Sequence, residues 1–276
     1  MSLNNWMKKI GDDKSIKDIN IPGTHDSATK YCDFSLFSGC QSFTIKEQLY
    51  MGVRFFDIRV NGMKLVHSFC KCRESRFGKQ LQLRDVIGDM LMFLKENPSE
   101  TIIMTFKMDS GENSAMCLEY FFKFFIENNE NAFFTENRIP ALKEVRGKIV
   151  LVRRTDSLRD EAGIDFSKMP DHGSKEHTHA DVFSPDGNDM VLVQDRYNLP
   201  REKKWKMAVK PLLEEESDCF VINFLSTAGL PMIPRYNSDY INNEFLSFPL
   251  EKGRKYGTLV FDYITPQITE KIIDTN

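Results

Sequence analysis

GVRFFDIRV, residues 52–60, opens apolar and closes on charge, and how it is read decides the fold. Its length and its branched and aromatic content fit a β-strand. Asp57 and Arg59 are two residues apart, so on a strand they point the same way. Six more runs have the same character: KDINI (17–21), TIIMTFKM (101–108), GKIVLVRR (147–154), MVLVQDRY (190–197), CFVINFLS (219–226) and GTLVFDYI (257–264). Plausible helices separate several of them, with RDVIGDMLMFLKENP placing Val86, Met90, Leu91 and Leu94 on one side and KKWKMAVKPLLEEE supplying another. Strands that are apolar on both faces and separated by helices predict parallel pairing in an α/β fold.

Polar residues gather at the carboxyl ends of these runs: His25 and Asp26, Asp57 and Arg59, Lys107, Arg153 and Arg154, Asp195 and Tyr197, Asp262. In a (β/α)8 barrel all such ends converge on the face that carries the active site. Solvated strand ends would explain one or two of these cases but not six.

Other classes lose ground. The 276 residues carry 37 basic and 40 acidic side chains, a formal charge of −3, which argues against a nucleic-acid-binding surface. No run approaches the roughly 20 apolar residues of a membrane span, and the first fifteen residues hold no signal-peptide core, so the expectation is an intracellular protein or one whose leader is missing. Walker, dinucleotide-binding and Gly-x-Ser-x-Gly motifs are absent from the sequence. Six cysteines are too dilute for a disulfide framework, yet an oxidising compartment could join Cys32 or Cys40 to the Cys70/Cys72 pair. The spacing of His67, Cys70 and Cys72 matches no usual zinc site. The stretch from Thr155 to Asp189 reads as an irregular excursion over the rim; its His172, His177 and His179 suit a solvated loop better than a metal.

Two isolated histidines, His25 and His67, suit acid–base catalysis near neutral pH. Arg59, Lys107 and an arginine at 153 or 154 suit an anion whose charge grows in the transition state. Phosphodiester cleavage by a histidine pair is the expected chemistry.

The spaced motifs IPGTHDS (21–27), GVRFFDIR (52–59), LVH (65–67), NPSETIIMTFK (97–107), GKIVLVRR (147–154), VQDRY (193–197) and LVFDY (259–263) resemble, in order, bacterial phosphatidylinositol-specific phospholipase C. The resemblance implies one irregular (β/α)8 TIM barrel forming a single catalytic domain over 1–276. It implies metal-independent cleavage of phosphatidylinositol to diacylglycerol and inositol 1,2-cyclic phosphate. His25 would be the general base, held by Asp262; His67 the general acid, near Asp26; Arg59 would sit on the phosphate, oriented by Asp57. Lys107, Arg154, Asp195 and Tyr197 would grip the inositol. No metal or other cofactor is implied: calcium-dependent relatives carry an asparagine after the first histidine and an acid at the place of Arg59. A peripheral contact with the bilayer through Phe34, Leu36, Phe37, Met232 and Ile233 is expected, with no obligate protein partner, and the resemblance favours a secreted protein. The lipid could instead be a glycosylated anchor or another phospholipid, or the chain a non-catalytic lipid-binding module.

Overall fold

The computed structural model describes residues 2–109, 113–170 and 180–276. His172, His177 and His179 therefore lie outside the described residues. Twelve strands share one curled sheet and its branches: β1 (Ile21–Thr24), β2 (Phe55–Asn61), β3 (Lys64–His67), β4 (Cys70–Lys71), β5 (Ile102–Met108), β6 (Phe133–Phe134), β7 (Ile149–Arg153), β8 (Ile164–Asp165), β9 (Asp181–Phe183), β10 (Val191–Gln194), β11 (Phe220–Phe224) and β12 (Thr258–Phe261). The parallel path runs β7-β5-β2-β1-β12-β11-β10, with β6 and β8 both pairing along the remaining flank of β7. Counting those two as one position, the parallel strands make an eight-position barrel.

The barrel is irregular where its ends meet. β10 pairs onward with the antiparallel β9, and no ladder joins β9 to β8 among the described residues. Packing and single hydrogen bonds close the gap instead: Phe166 meets Phe183 edge-on at 5.0 Å, and Asn137 donates to the Pro185 carbonyl at 2.9 Å.

Alternation along the strands sorts the apolar side chains into two cores. One fills the barrel: Ile21, Phe55, Ile103, Val150, Val152, Val193, Ile222, Phe224 and Val260, with Trp6, Met7 and Ile16 joining from the amino-terminal segment. The other lies between barrel and helices: Phe56, Ile58, Met104, Phe106, Leu151, Leu259 and Phe261 against residues such as Val86, Met90 and Phe93. Each fully buried Phe, Ile or Val contributes about 1.5–3 kcal/mol relative to exposure. Continuing the interior parity past the last apolar residue gives Asp57 and Arg59 on β2, Lys107 on β5, Arg154 after β7, Asp195 after β10 and Asp262 after β12. The site is thus the polar lid of the barrel core.

Two expectations are corrected. The first strand is Ile21–Thr24, not 17–21, so Pro22 and Gly23 lie inside it. The strand still pairs through Pro22, whose carbonyl accepts from Arg54 N–H at 3.0 Å. Gly23 suits this position because a Cβ there would stand 3.0 Å from Phe55 Cβ, closer than ordinary packing allows. The stretch from Thr155 to Asp189 is not wholly irregular, since it supplies β8 and β9, too short to be read as strands from sequence. The expected helices form at Leu83–Glu96 and through 201–214, the latter widening to a π-turn at Trp205–Val209 just before Pro211, which has no N–H to donate.

Candidate active site

His25 is the first residue past β1, and its backbone N–H is fixed by the Phe261 carbonyl at 3.0 Å. Its Nδ1 lies 2.8 Å from Asp262 Oδ1. A carboxylate can only accept, so Nδ1 carries the hydrogen and Nε2 is left to exchange a proton. Phe224 meets the ring edge-on at 6.3 Å, and Gln41 Nε2 donates to both the His25 and Phe261 carbonyls. Burial would lower the His25 pKa, but the Asp26 and Asp262 carboxylates outweigh it and push it up to about 9.

His67 closes the hairpin strand β3 that folds back from β2. Its Nδ1 donates to the Ser38 carbonyl at 2.8 Å, so again Nε2 is left to exchange a proton. The imidazole centroids are 6.3 Å apart. Between them lies Asp26, whose Oδ2 is 3.1 Å from His25 Nε2 and 3.3 Å from His67 Nε2, while Oδ1 is 3.2 Å from Arg59 Nε. Neither carboxylate oxygen receives a well-aligned hydrogen bond, and the two histidine contacts become ion pairs when the imidazoles are protonated. Asp26 adopts φ 42°, a left-handed conformation that aspartate tolerates better than most residues and that turns its side chain under both rings.

Arg59 is held from three sides. Asp57 Oδ2 takes its Nε at 2.9 Å and its Nη2 at 2.8 Å, Asp26 stands at 3.2 Å, and Asp109 lies 3.8 Å from Nη1. Burial opposes its charge, but Asp26, Asp57 and Asp109 raise its pKa further, so it is cationic at every working pH. Burial would raise the Asp57 carboxyl, yet Arg59 and Arg154 hold it well below the usual carboxylate range. Thr105 Oγ1 donates to Asp57 Oδ1 at 3.0 Å and Arg154 Nη1 reaches the same oxygen at 3.4 Å.

Above this layer opens a cavity of about 1040 Å³. His25, Arg59, His67, Lys107, Arg154, Asp195, Tyr197 and Asp262 all line it, whereas Asp26 and Asp57 lie in its floor, fully buried. Arg153, on the opposite parity, turns away to Asp165 at 2.5 Å. The Tyr197 backbone is locked by Ala228 N–H and Thr227 Oγ1 on its carbonyl.

Asp109 escaped the sequence reading. It bonds Lys107 Nζ at 3.0 Å, faces Arg59, and accepts from Ser68 N–H at 2.8 Å, tying the strand-end cations to the residue after His67. The signal was available, since Asp109 is two residues beyond Lys107. The Ser38 carbonyl had none, being backbone.

At the cavity mouth Phe34 is 74% exposed, Leu36 59%, Phe37 61% and Met232 60%, while Ile233 is half-buried. Sequence reading missed Phe69, 80% exposed and lining the cavity, and Leu230, 76% exposed. No helix among the described residues is long and apolar enough to cross a membrane.

The carboxylates of Asp26 and Asp57 with His25 could geometrically surround a cation. The guanidinium of Arg59 already stands against both carboxylates, so the donor set has its positive charge built in.

Residues 20–155 match the family described as phosphatidylinositol-specific phospholipase C, X domain. The chain is 32% identical to a 1-phosphatidylinositol phosphodiesterase of Staphylococcus aureus, with 100% of this chain and 95% of that protein covered. It is 28% identical to the 1-phosphatidylinositol phosphodiesterase of Listeria monocytogenes over 98% of this chain and 84% of that one. Among solved structures, a phosphatidylinositol-specific phospholipase C of S. aureus whose structure concerns modulation of membrane binding superposes with TM-score 0.81 at 28% identity, covering 100% of this chain and 98% of that one. The enzyme from L. monocytogenes superposes with TM-score 0.77 at 24% identity, covering 100% and 99%, a likeness of fold. The chain belongs to the phosphatidylinositol-specific phospholipase C X-domain family and has the irregular TIM barrel of its bacterial members.

Proposed function

We propose that the protein cleaves phosphatidylinositol, releasing diacylglycerol and inositol 1,2-cyclic phosphate by intramolecular attack of the inositol 2-hydroxyl on phosphorus. The observation that carries this reading is the placement of two imidazoles, each with Nδ1 committed to an acceptor and Nε2 beside the shared Asp26 carboxylate, next to Arg59 under one cavity. His25 in its neutral form takes the hydroxyl proton at Nε2; Asp262 and Asp26 then stabilise the imidazolium, the same interaction that raises its pKa. His67 gives the Nε2 proton to the diacylglycerol oxygen as the phosphorus–oxygen bond breaks. Arg59, fixed by Asp57, Asp26 and Asp109, places its charge on the phosphate oxygens without having to reorganise.

Lys107, Arg154, Asp195 and Tyr197 contact the inositol ring, the cations and Asp195 by hydrogen bonds and the tyrosine by stacking. Phe34, Leu36, Phe37, Met232 and, more shallowly, Ile233 meet the bilayer, joined by Phe69 and Leu230. Support comes from their exposure around the mouth and from relatives that act on a lipid.

Phosphorus NMR of phosphatidylinositol vesicles treated with the protein in EDTA tests the reading. The cyclic phosphate should appear first, and His25→Ala and His67→Ala should each lower kcat by about 10²–10⁴. A noncyclic phosphate appearing first, or activity that needs calcium, overturns the mechanism.

A further inference from the structure

Three cysteines crowd the wall beside His67. Cys32 lies opposite Cys72 in an antiparallel bridge, with their sulfurs 4.0 Å apart. Asp33 N–H donates to the Lys71 carbonyl at 3.0 Å and Arg73 N–H to the Tyr31 carbonyl at 2.8 Å. Cys32 and Cys72 are therefore the pair enclosed between two ladder bonds and not itself bonded, the position where Cα atoms approach to about 4.5 Å. That spacing falls within the range a disulfide spans. Cys70, two residues before Cys72, lines the active-site cavity and lies opposite His67 in the β3–β4 ladder.

We propose that Cys32 and Cys72 form a redox pair that a hydroperoxide closes to a cross-strand disulfide. The Cys32 sulfur attacks the peroxide, the O–O bond breaks, and Cys32 becomes a sulfenic acid while the departing hydroxide takes up the Cys32 proton as water. The Cys72 sulfur then attacks the sulfenic sulfur; the S–S bond forms, the S–O bond breaks, and the departing hydroxide leaves as water with the Cys72 proton. Two thiols and one hydrogen peroxide give one disulfide and two waters. Chemistry favours Cys32 as the first to react, because Cys72 donates to its sulfur and draws its pKa down to about 7 against the opposing effect of burial. Both thiols are buried, which admits a small hydroperoxide more readily than a bulky disulfide reagent.

The bond would join two strips that build the site. The strip containing Cys32 leads into the Ser35–Ser38 helix, whose last carbonyl holds His67 Nδ1, and the strip containing Cys72 leaves the hairpin that carries His67. The strips are already in register, so closure stiffens this lobe without moving His67. It rests on these thiols alone and not on the lipid reading.

Peptide mapping by mass spectrometry after hydrogen peroxide titration should find Cys32 linked to Cys72, with Cys70 unlinked. The melting temperature of the wild type should rise by about 5 °C or more, as for a link closing a loop of this length. Cys32→Ser and Cys72→Ala should not gain it. Cleavage of phosphatidylinositol by the oxidised wild type should stay within about twofold. A Cys32–Cys70 link, sulfinic acid at Cys32 without a link, an unchanged wild-type melting temperature, or loss of activity on closure each overturns the proposal; the direct map on wild type holds even if a variant fails to fold.

Discussion

Asp26 meets His25, His67 and Arg59 with a single carboxylate, and the site's behaviour with pH follows from that sharing. His25 ionises near 9 in the folded protein and near 6.5 when unfolded, so the native state binds its proton more tightly. The resulting stability, about 3 kcal/mol at most, is fully present below pH 6.5 and is lost as pH rises to about 9. Wild type should therefore lose several degrees of melting temperature between pH 6.5 and 9 that His25→Gln does not lose. Parallel melting curves for the two proteins across that window would remove the raised pKa. Asp109 supplies a second residue-scale prediction. Its carboxyl, which burial would raise, is held low by Arg59 and Lys107, and it also anchors Ser68 N–H. Asp109→Asn keeps the shape but removes the charge that positions both cations, so kcat/KM should fall by about 10-fold, a loss of about 1.4 kcal/mol in transition-state binding. Unchanged kinetics on phosphatidylinositol would leave Asp109 a bystander.

Strands were legible where they were long and apolar, because burial on both faces leaves a continuous hydrophobic run, and parity put Asp57 on the same side of its strand as Arg59. What parity could not give was the partner of each charge. Arg54 immediately precedes β2, the strand that carries Arg59, yet it lies fully buried at the opposite end, paired with Glu100 at 2.9 Å and stacked over Phe93 at 4.5 Å. Only the meeting of distant segments reveals that pairing. β1 was misplaced for a related reason: Pro and Gly usually end a strand, and the crowding by Phe55 that selects glycine is a tertiary fact. Gly23→Ala tests that account. The Phe55 side chain is buried in the barrel core and has little room to yield, so the methyl should cost about 1–3 kcal/mol of stability and lower kcat by displacing His25, two residues on. Wild-type stability and activity in that variant would mean that Phe55 moves freely and that the close approach does not position the base.

At the scale of the molecule, a net charge of −3 gives no general attraction to an anionic bilayer, so the proposed docking surface relies on apolar contact at the mouth. Trp6 and Trp205 are both buried and cannot serve as interfacial anchors, which leaves the phenylalanines, leucines and methionine of the rim. Leu36 and Leu230 are exposed beside the mouth without lining the cavity, whereas Phe37 and Met232 do line it. This separates docking from head-group binding. Shallow insertion recovers only part of the 1.5–3 kcal/mol of a fully buried side chain, so each leucine should contribute about 1 kcal/mol. Leu36→Ser with Leu230→Ser should then weaken sedimentation with phosphatidylinositol-containing vesicles by about 10-fold or more, while cleavage of a short-chain monomeric phosphatidylinositol stays near wild type. Phe37→Ser with Met232→Ser should reduce both, because those side chains also form the entry to the cavity. Equal loss on both substrates in the leucine pair would place Leu36 and Leu230 in the site itself, and undiminished vesicle binding would place the docking surface elsewhere on the barrel.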